Sequence, residues 1–247
     1  MAAAQPTAVV TGAASGIGRA TAERLHADGA RVIAVDRDDA ALAAACHDGM
    51  EPLVADLSTD EGRRAVIDAA DEVDMLVNAA GIIRLKPILD FTVQDMRDIY
   101  AVNVEAVWEL CSHIGRRMTS GAAIVNVSSV SAKLTSTQET AVYASSKAAV
   151  LSITRSFAYA FAEKNVRVNA VCPGIMDTPM QDLVMQRLGE IRGTTAEAIG
   201  AGRMATVPLG RGAKPEECAG LIRFLLSDEA GYMTGQAVNQ TGGLVMW

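Results

Sequence analysis

The sequence predicts an α/β fold, a doubly wound parallel sheet of about seven strands with helices on both faces. Three observations carry this. Short apolar, β-branched runs alternate with longer amphipathic stretches along the chain, the pattern of strand–helix–strand units with parallel strands. The first run opens directly into a glycine-rich turn and a helix. Hydrophobic residues make up 50% of the 247 positions, enough for one large core.

Thr7-Ala8-Val9-Val10-Thr11 reads as a buried strand. It runs into Gly12-Ala13-Ala14-Ser15-Gly16-Ile17-Gly18, and a helix follows from Arg19 to a glycine stop at Gly29. Such a turn aims backbone N–H groups and a helix dipole at a pyrophosphate. The second strand, Arg31 to Asp36, ends in an acid close to the roughly 20-residue spacing of a ribose partner. A carboxylate there accepts from ribose hydroxyls and repels a 2′-phosphate, which favours NAD over NADP. Arg37 leans the other way, since an arginine can pair with that phosphate.

A short helix over Ala40 to Cys46 leads to a third strand, Glu51 to Asp56, with Asp56-Leu57 at its carboxyl end. Thr59 to Val73 reads as a helix and Val73 to Asn78 as a fourth strand, opening into Asn78-Ala79-Ala80-Gly81. Asn78 suits a turn, and Gly81 permits positive φ. Phe91 to Met118 reads as one long helical region holding Asn103 among apolar neighbours. A buried amide needs partners, so Asn103 is expected to bond backbone and hold a water, or to satisfy a local kink.

The fifth strand, Ala122 to Ser129, ends in two hydroxyls. After the loop Val130 to Thr140 comes Tyr143-Ala144-Ser145-Ser146-Lys147, on a helix reaching Glu163. A spacing of four puts Tyr143 and Lys147 on one helix face. The ammonium is expected to lower the phenol pKa from about 10 toward the working pH. A tyrosine so tuned exchanges a proton with a carbonyl or alcohol oxygen. A parallel sheet brings Ser129 to the same edge, within reach of that oxygen. Val166 to Cys172 is the sixth strand, followed by Pro173-Gly174-Ile175 and Thr178. Residues 179 to 213 read as one or two helices forming a substrate lid. Glu216 to Ser227 is a helix, and Gln236 to Gly243 a last strand and turn.

The net charge of −7, with no Lys/Arg run, argues against nucleic acid or an acidic membrane surface as partner. Cys46, Cys111, Cys172 and Cys218 are dispersed and read as reduced thiols. His26, His47 and His113 have no metal-ligand spacing, so no metal site is expected. Met1 to Pro6 lacks the features of a secretory signal, and no apolar stretch reaches the roughly 18–20 residues of a membrane span. The expectation is a single cytoplasmic domain over 1–247.

These residues together resemble the short-chain dehydrogenase/reductase family over nearly the full chain. The matched positions are Thr11-Gly12-x-x-x-Gly16-x-Gly18, Asp56, Asn78-Ala79-Ala80-Gly81, Asn103, Ser129, Tyr143-x-x-x-Lys147, Asn169, Pro173-Gly174, Thr178 and Gly242-Gly243. Ala79 stands where the family's usual turn has a second asparagine. The resemblance implies a Rossmann-type sheet with NAD or NADP along the strand carboxyl ends. It implies a tetrad of Asn103, Ser129, Tyr143 and Lys147. Tyr143 would be the acid/base and Ser129 would polarise the C–O bond. Lys147 would bond the nicotinamide ribose, and Asn103 would hold a relay water. The cofactor would meet Ser15 and Ile17 at its phosphates, Asp56 and Leu57 at the adenine, Asn78 and Ala79 along its path, and Ile175 and Thr178 at the nicotinamide. Family members are commonly homotetramers paired through two long middle helices.

The tail Asn239 to Trp247 is similar to the endings of polyol and sugar-alcohol dehydrogenases. Ile175 to Met180 looks like the same segment of acetoin, butanediol and sorbitol dehydrogenases. The expected function is NAD-dependent interconversion of a secondary alcohol, a small polyol, sugar or diol, with its ketone. The alternatives are an NADPH-dependent 3-oxoacyl-thioester reductase, a dihydrodiol dehydrogenase, or an idle NAD-binding regulator.

Overall fold

The computed structural model describes residues 5–47, 49–134 and 137–247. Seven strands form one sheet in the order β3-β2-β1-β4-β5-β6-β7. They are β1 (Thr7–Thr11), β2 (Arg31–Asp36), β3 (Met50–Val54), β4 (Met75–Asn78), β5 (Ala123–Val127), β6 (Arg167–Pro173) and β7 (Ala237–Gln240). Every neighbouring pair is parallel. The chain builds outward from β1 to β3 and then returns to place β4 on the other side of β1. That reversal opens a crevice at the strand carboxyl ends, where ligands of such sheets bind.

Alternation along the strands feeds two cores. Val9, Ile33, Val35, Leu76 and Ile124 face one side, while Ala8, Val10, Val32, Ala34 and Val77 face the other. The first face is covered by α3 (Asp60–Ala69), α5 (Ala106–Arg117) and α6 (Ala141–Phe161), through Val66, Leu110, Ile114, Val150 and Phe157. The second is covered by α1 (Gly16–Ala27), α2 (Asp39–Ala45) and α9 (Pro215–Leu226), through Leu25, Leu42, Ile222 and Leu225. Burying a side chain of this size stabilises by about 1.5–3 kcal/mol. Beyond β6 lie α7 (Pro179–Arg192) and α8 (Ala196–Met204), which pack on each other through Val184, Leu188 and Ile199.

The long helical region predicted over Phe91 to Met118 is broken. After α4 (Val93–Tyr100), residues Ala101–Glu105 form a π turn that holds Asn103, and α5 continues from there. A π turn inserts one extra residue per turn and re-aims what it carries. The expected loop from Val130 to Thr140 contains two short 3₁₀ turns, Val130–Ala132 and Gln138–Thr140. No described helix is long and apolar enough to cross a membrane.

Candidate active site

A cavity of about 840 Å³ lies along the carboxyl ends of the strands. Its floor begins at the glycine turn, where Gly12, Ser15, Gly16, Ile17 and Gly18 all line it. Two glycines are dictated by close approach. Gly12 has φ of 70°, and a Cβ on it would meet the Ala80 backbone at 2.9 Å. A Cβ on Gly18 would lie 2.1 Å from the Gly12 carbonyl oxygen. Thr11 completes this junction, its Oγ1 accepting from the Ala79 and Ala80 amides at 3.1 Å each.

The start of α1 is left uncapped by side chains. Helices α2, α3, α4, α7 and α8 each begin with a side-chain oxygen accepting from the first turn. Ser15 makes no such bond at the head of α1. Its first-turn N–H groups therefore face the cavity without a side-chain acceptor, and the helix dipole favours an anion there. Asp36 lies beside this turn and accepts from the Ala14 amide at 3.1 Å through Oδ2. Its Oδ1 accepts from the Arg37 and Asp38 amides at 2.8 and 3.2 Å. Arg37, Asp56 and Leu57 continue the wall. The Ser58 amide donates to Asp56 and holds its carboxyl below the usual range, and Arg37 adds to this.

The middle of the wall comes from β4 to β6. Ala79 and Gly81 line the cavity, as do Pro173, Gly174, Ile175 and Thr178. Asn78 does not. As the last residue of β4 it follows the strand alternation onto the Leu76 face, and its side chain is buried. It donates to Asn126 Oδ1 at 2.8 Å and Cys111 Sγ at 3.4 Å. The expected place on the cofactor path is thus replaced by a polar tie between β4, β5 and α5.

Ser129, Tyr143 and Lys147 share the far wall. Ser129 leaves the end of β5 and accepts from the Ser131 amide at 3.1 Å. Lys147 is buried and donates its Nζ to the Val127 carbonyl at 2.8 Å. That Nζ lies 5.8 Å from the centre of the Tyr143 ring. Asn103 is fully buried behind this wall. It accepts from the Ile82 amide at 2.9 Å and donates to the Ile82 carbonyl and Ser146 Oγ, both at 3.0 Å. Its amide bonds backbone, and it sits in the π turn that interrupts the helix. Gly81 keeps the space between them open, since a Cβ there would lie 3.2 Å from Lys147 Nζ and 3.4 Å from Asn103 Oδ1.

The expected lowering of the tyrosine pKa is corrected by burial. Desolvation pushes the Tyr143 phenol up, and hydrogen bonding with Ser129 pulls only partly against it. The same burial drives Lys147 down to about 8. Both groups are out of water, so each loses solvation of its charged form. Lys147 directs its Nζ to a carbonyl rather than to the phenol.

Sequence reading missed the polar groups that α7 and α8 bring to the cavity. Glu139 is buried just before α6 and is held by Arg192 of α7, whose Nε and Nη2 donate at 2.9 and 3.0 Å. Arg192 holds the Glu139 carboxyl below its usual range. Gln181, Arg192 and Arg203 all line the cavity from α7 and α8. Helical spacing was the available signal for Arg203, which falls four residues after buried Ile199. Among the described residues, no group of three or more His, Cys, Asp or Glu side chains is placed to hold a metal ion.

Against known families, the model described as Enoyl-(Acyl carrier protein) reductase matches residues 12–245. The chain belongs to the short-chain dehydrogenase/reductase family, oxidoreductases acting on alcohol and carbonyl groups with a nicotinamide dinucleotide. It is 35% identical to 3-oxoacyl-(acyl-carrier-protein) reductase FabG of Thermotoga maritima, over 96% of this chain and 97% of that one. It is 36% identical to galactitol 2-dehydrogenase (L-tagatose-forming) of Cereibacter sphaeroides, over 97% and 95%. The crystal structure of a putative NAD(P) dependent gluconate 5-dehydrogenase from Beutenbergia cavernae, with bound NADP at low occupancy, superposes with a TM-score of 0.85. That match has 36% identity and covers 98% of this chain and 97% of the other.

Proposed function

We propose that the protein is an NAD-dependent dehydrogenase that interconverts a secondary alcohol, a small polyol, sugar or diol, with its ketone. The observation that carries this is the convergence of Ser129, Tyr143 and Lys147 on the cavity whose other end is the uncapped start of α1 with Asp36. When bound, the dinucleotide supplies or takes up the hydride. Its pyrophosphate would meet the glycine turn at the head of α1, whose first-turn N–H groups have no side-chain cap. Asp36 would accept from the ribose hydroxyls and repel a 2′-phosphate, which supports NAD.

On this reading Tyr143 is the acid/base. Burial keeps its phenol protonated at neutral pH, the form that donates to a carbonyl oxygen during reduction. Oxidation needs the phenolate, so it gains as pH rises. Ser129 donates to the same oxygen as charge develops on it. Lys147, once protonated, favours phenolate through its charge. Asn103 holds the Ile82 backbone and Ser146, and so fixes the wall behind them. The galactitol and gluconate relatives support a polyhydroxylated substrate.

The runner-up is an NADPH-dependent 3-oxoacyl-thioester reductase, favoured by the Thermotoga relative and by Arg37 on the cavity wall. A screen of polyols, sugars, diols and 3-oxoacyl thioesters with each dinucleotide separates the two. Polyol turnover with NAD is expected; thioester reduction with a clear NADPH preference overturns the first reading. Exposed Trp108 on α5 and Tyr159 on α6 support the homotetramer the family suggests, and light scattering in solution tests it.

A further inference from the structure

The substrate end of the cavity carries more positive charge than its neighbours answer. Arg192 and Arg203 both line it, from α7 and α8. Arg192 is matched by Glu139. Arg203 makes no ion pair among the described residues, and its Nε is buried without a hydrogen-bond partner. Burial pushes its guanidinium pKa down, and the like charge of Arg192 adds to this. Gln181, which lines the cavity from α7, also has its Nε2 buried without a partner. Buried donors that find no acceptor within the protein mark a place for a ligand's acceptor.

The position distinguishes this guanidinium from one that serves a dinucleotide. Arg203 is close enough to Arg192 to feel its charge, and Arg192 is tied to Glu139, four residues before Tyr143. Ile199, one turn earlier on α8, packs with Val184 and Leu188 and against Ile83 and Leu85. Arg203 therefore belongs to the Tyr143 side of the cavity, whereas the glycine turn is the anion site at the other end.

We propose that Arg203, assisted by Gln181, binds an anionic oxygen group on the substrate, so that the preferred substrate is an acidic polyol or its keto form rather than a neutral one. The inference rests on the dehydrogenase reading of the same cavity and narrows its substrate class. A carboxylate matches the two-donor edge of a guanidinium, and a phosphate monoester offers the same match. Hydroxyls of the chain between this group and the reacting carbon would leave that carbon free to face Tyr143.

The test compares matched compounds: an alditol, the aldonate of the same length and the corresponding alditol phosphate. Binding to the protein–NADH complex is measured by calorimetry, and kcat/KM is measured for each. The aldonate or the phosphate is expected to bind at least about tenfold tighter than the alditol, the lower range for a charge-assisted contact. Which of the two binds tighter identifies the anion. Arg203→Met should reduce the acid-to-neutral ratio about 10- to 100-fold, with Arg203→Lys between, while melting temperature and NADH affinity stay near wild type. Equal binding of acid and neutral compounds overturns the proposal, and turnover of the neutral polyol then leaves the dehydrogenase reading intact. A raised Kd for NADH in Arg203→Met also overturns it, by assigning the guanidinium to the dinucleotide. Acid-selective binding lost on substitution, but without turnover, supports the site and counts against the dehydrogenase reading alone.

Discussion

Around β1 and α1 the cavity wall is backbone; around β5 and α6 it is side chain. The first half works by what is missing. Gly12 and Gly18 leave no room for a Cβ, and the head of α1 offers bare N–H groups. The second half works by what is present, a phenol, a hydroxyl and an ammonium held on a strand end and a long helix. The two halves should therefore fail differently. A change in the first disturbs packing and affinity together, while a change in the second can remove chemistry and leave the fold alone.

The largest effect is expected on the side-chain wall. Tyr143→Phe removes one oxygen from a buried ring and should lower kcat by about 10²–10⁴, the usual worth of a placed acid/base. Its melting temperature and NADH affinity should stay close to wild type, as calorimetry and fluorescence titration would record. Turnover near normal would sink the proposed mechanism. The raised phenol pKa adds a pH signature. Ketone reduction should hold through neutrality and fall only as pH rises past the ordinary phenol value of about 10, and alcohol oxidation should climb over that same alkaline range. Opposite slopes would show that another group carries the proton.

Asp36 tests the boundary between the halves, being an acid that accepts from the glycine turn. Asp36→Ala removes the repulsion of a 2′-phosphate and leaves Arg37 beside it. The NADPH-to-NADH preference should move toward NADPH by about 10- to 100-fold, comparable to one lost and one gained charge-assisted contact. An unchanged ratio in matched kinetics would mean that Asp36 serves the loop rather than the cofactor.

The backbone wall answers to volume. Gly18→Ala forces a Cβ against the Gly12 carbonyl. Overpacking of this kind costs about 1–3 kcal/mol, so melting temperature and NADH affinity should fall together. Gly220→Ala on α9 is the control, because a Cβ there meets nothing within 4 Å. It should be neutral or stabilising by up to about 1 kcal/mol, the helix-propensity difference between the residues.

The same division explains what could be read from the chain. Strand alternation and the glycine turn are local, so the sheet and the dinucleotide end were legible as patterns. Tyr143 and Lys147 were legible through their spacing, and Ser129 through its place at a strand end. Their electrostatics were not, because burial depends on residues far away in sequence. Asn78 looked like a turn residue lining the cofactor path. Its side chain instead follows the alternation of β4 onto the Leu76 face, where its partners Asn126 and Cys111 come from β5 and α5, far away in sequence. The π turn at Asn103 reflects bonds to Ile82, 21 residues earlier. Helices α7 and α8 gave least, since the pairing of Glu139 with Arg192 spans 53 residues and no local pattern announces it.

That pairing gives the smallest and most specific expectation, because it joins the side-chain wall to the lid. Glu139 is buried while Arg192 is partly exposed, so the pair is screened on one side and worth less than a fully buried one. Glu139→Gln keeps the shape but leaves Arg192 and Arg203 as neighbouring cations without a carboxylate. The lid should loosen, raising KM several-fold with little change in kcat, and Arg192 should become easier to cleave beside in limited proteolysis. The pH dependence has a definite sign. The folded Glu139 carboxyl lies below its ordinary value, so its contribution to stability is complete above about pH 4.5 and is lost as pH falls through the lowered folded value. Wild type should therefore lose its advantage over Glu139→Gln only under acid, and a constant difference in melting temperature down to that range would place the tie elsewhere.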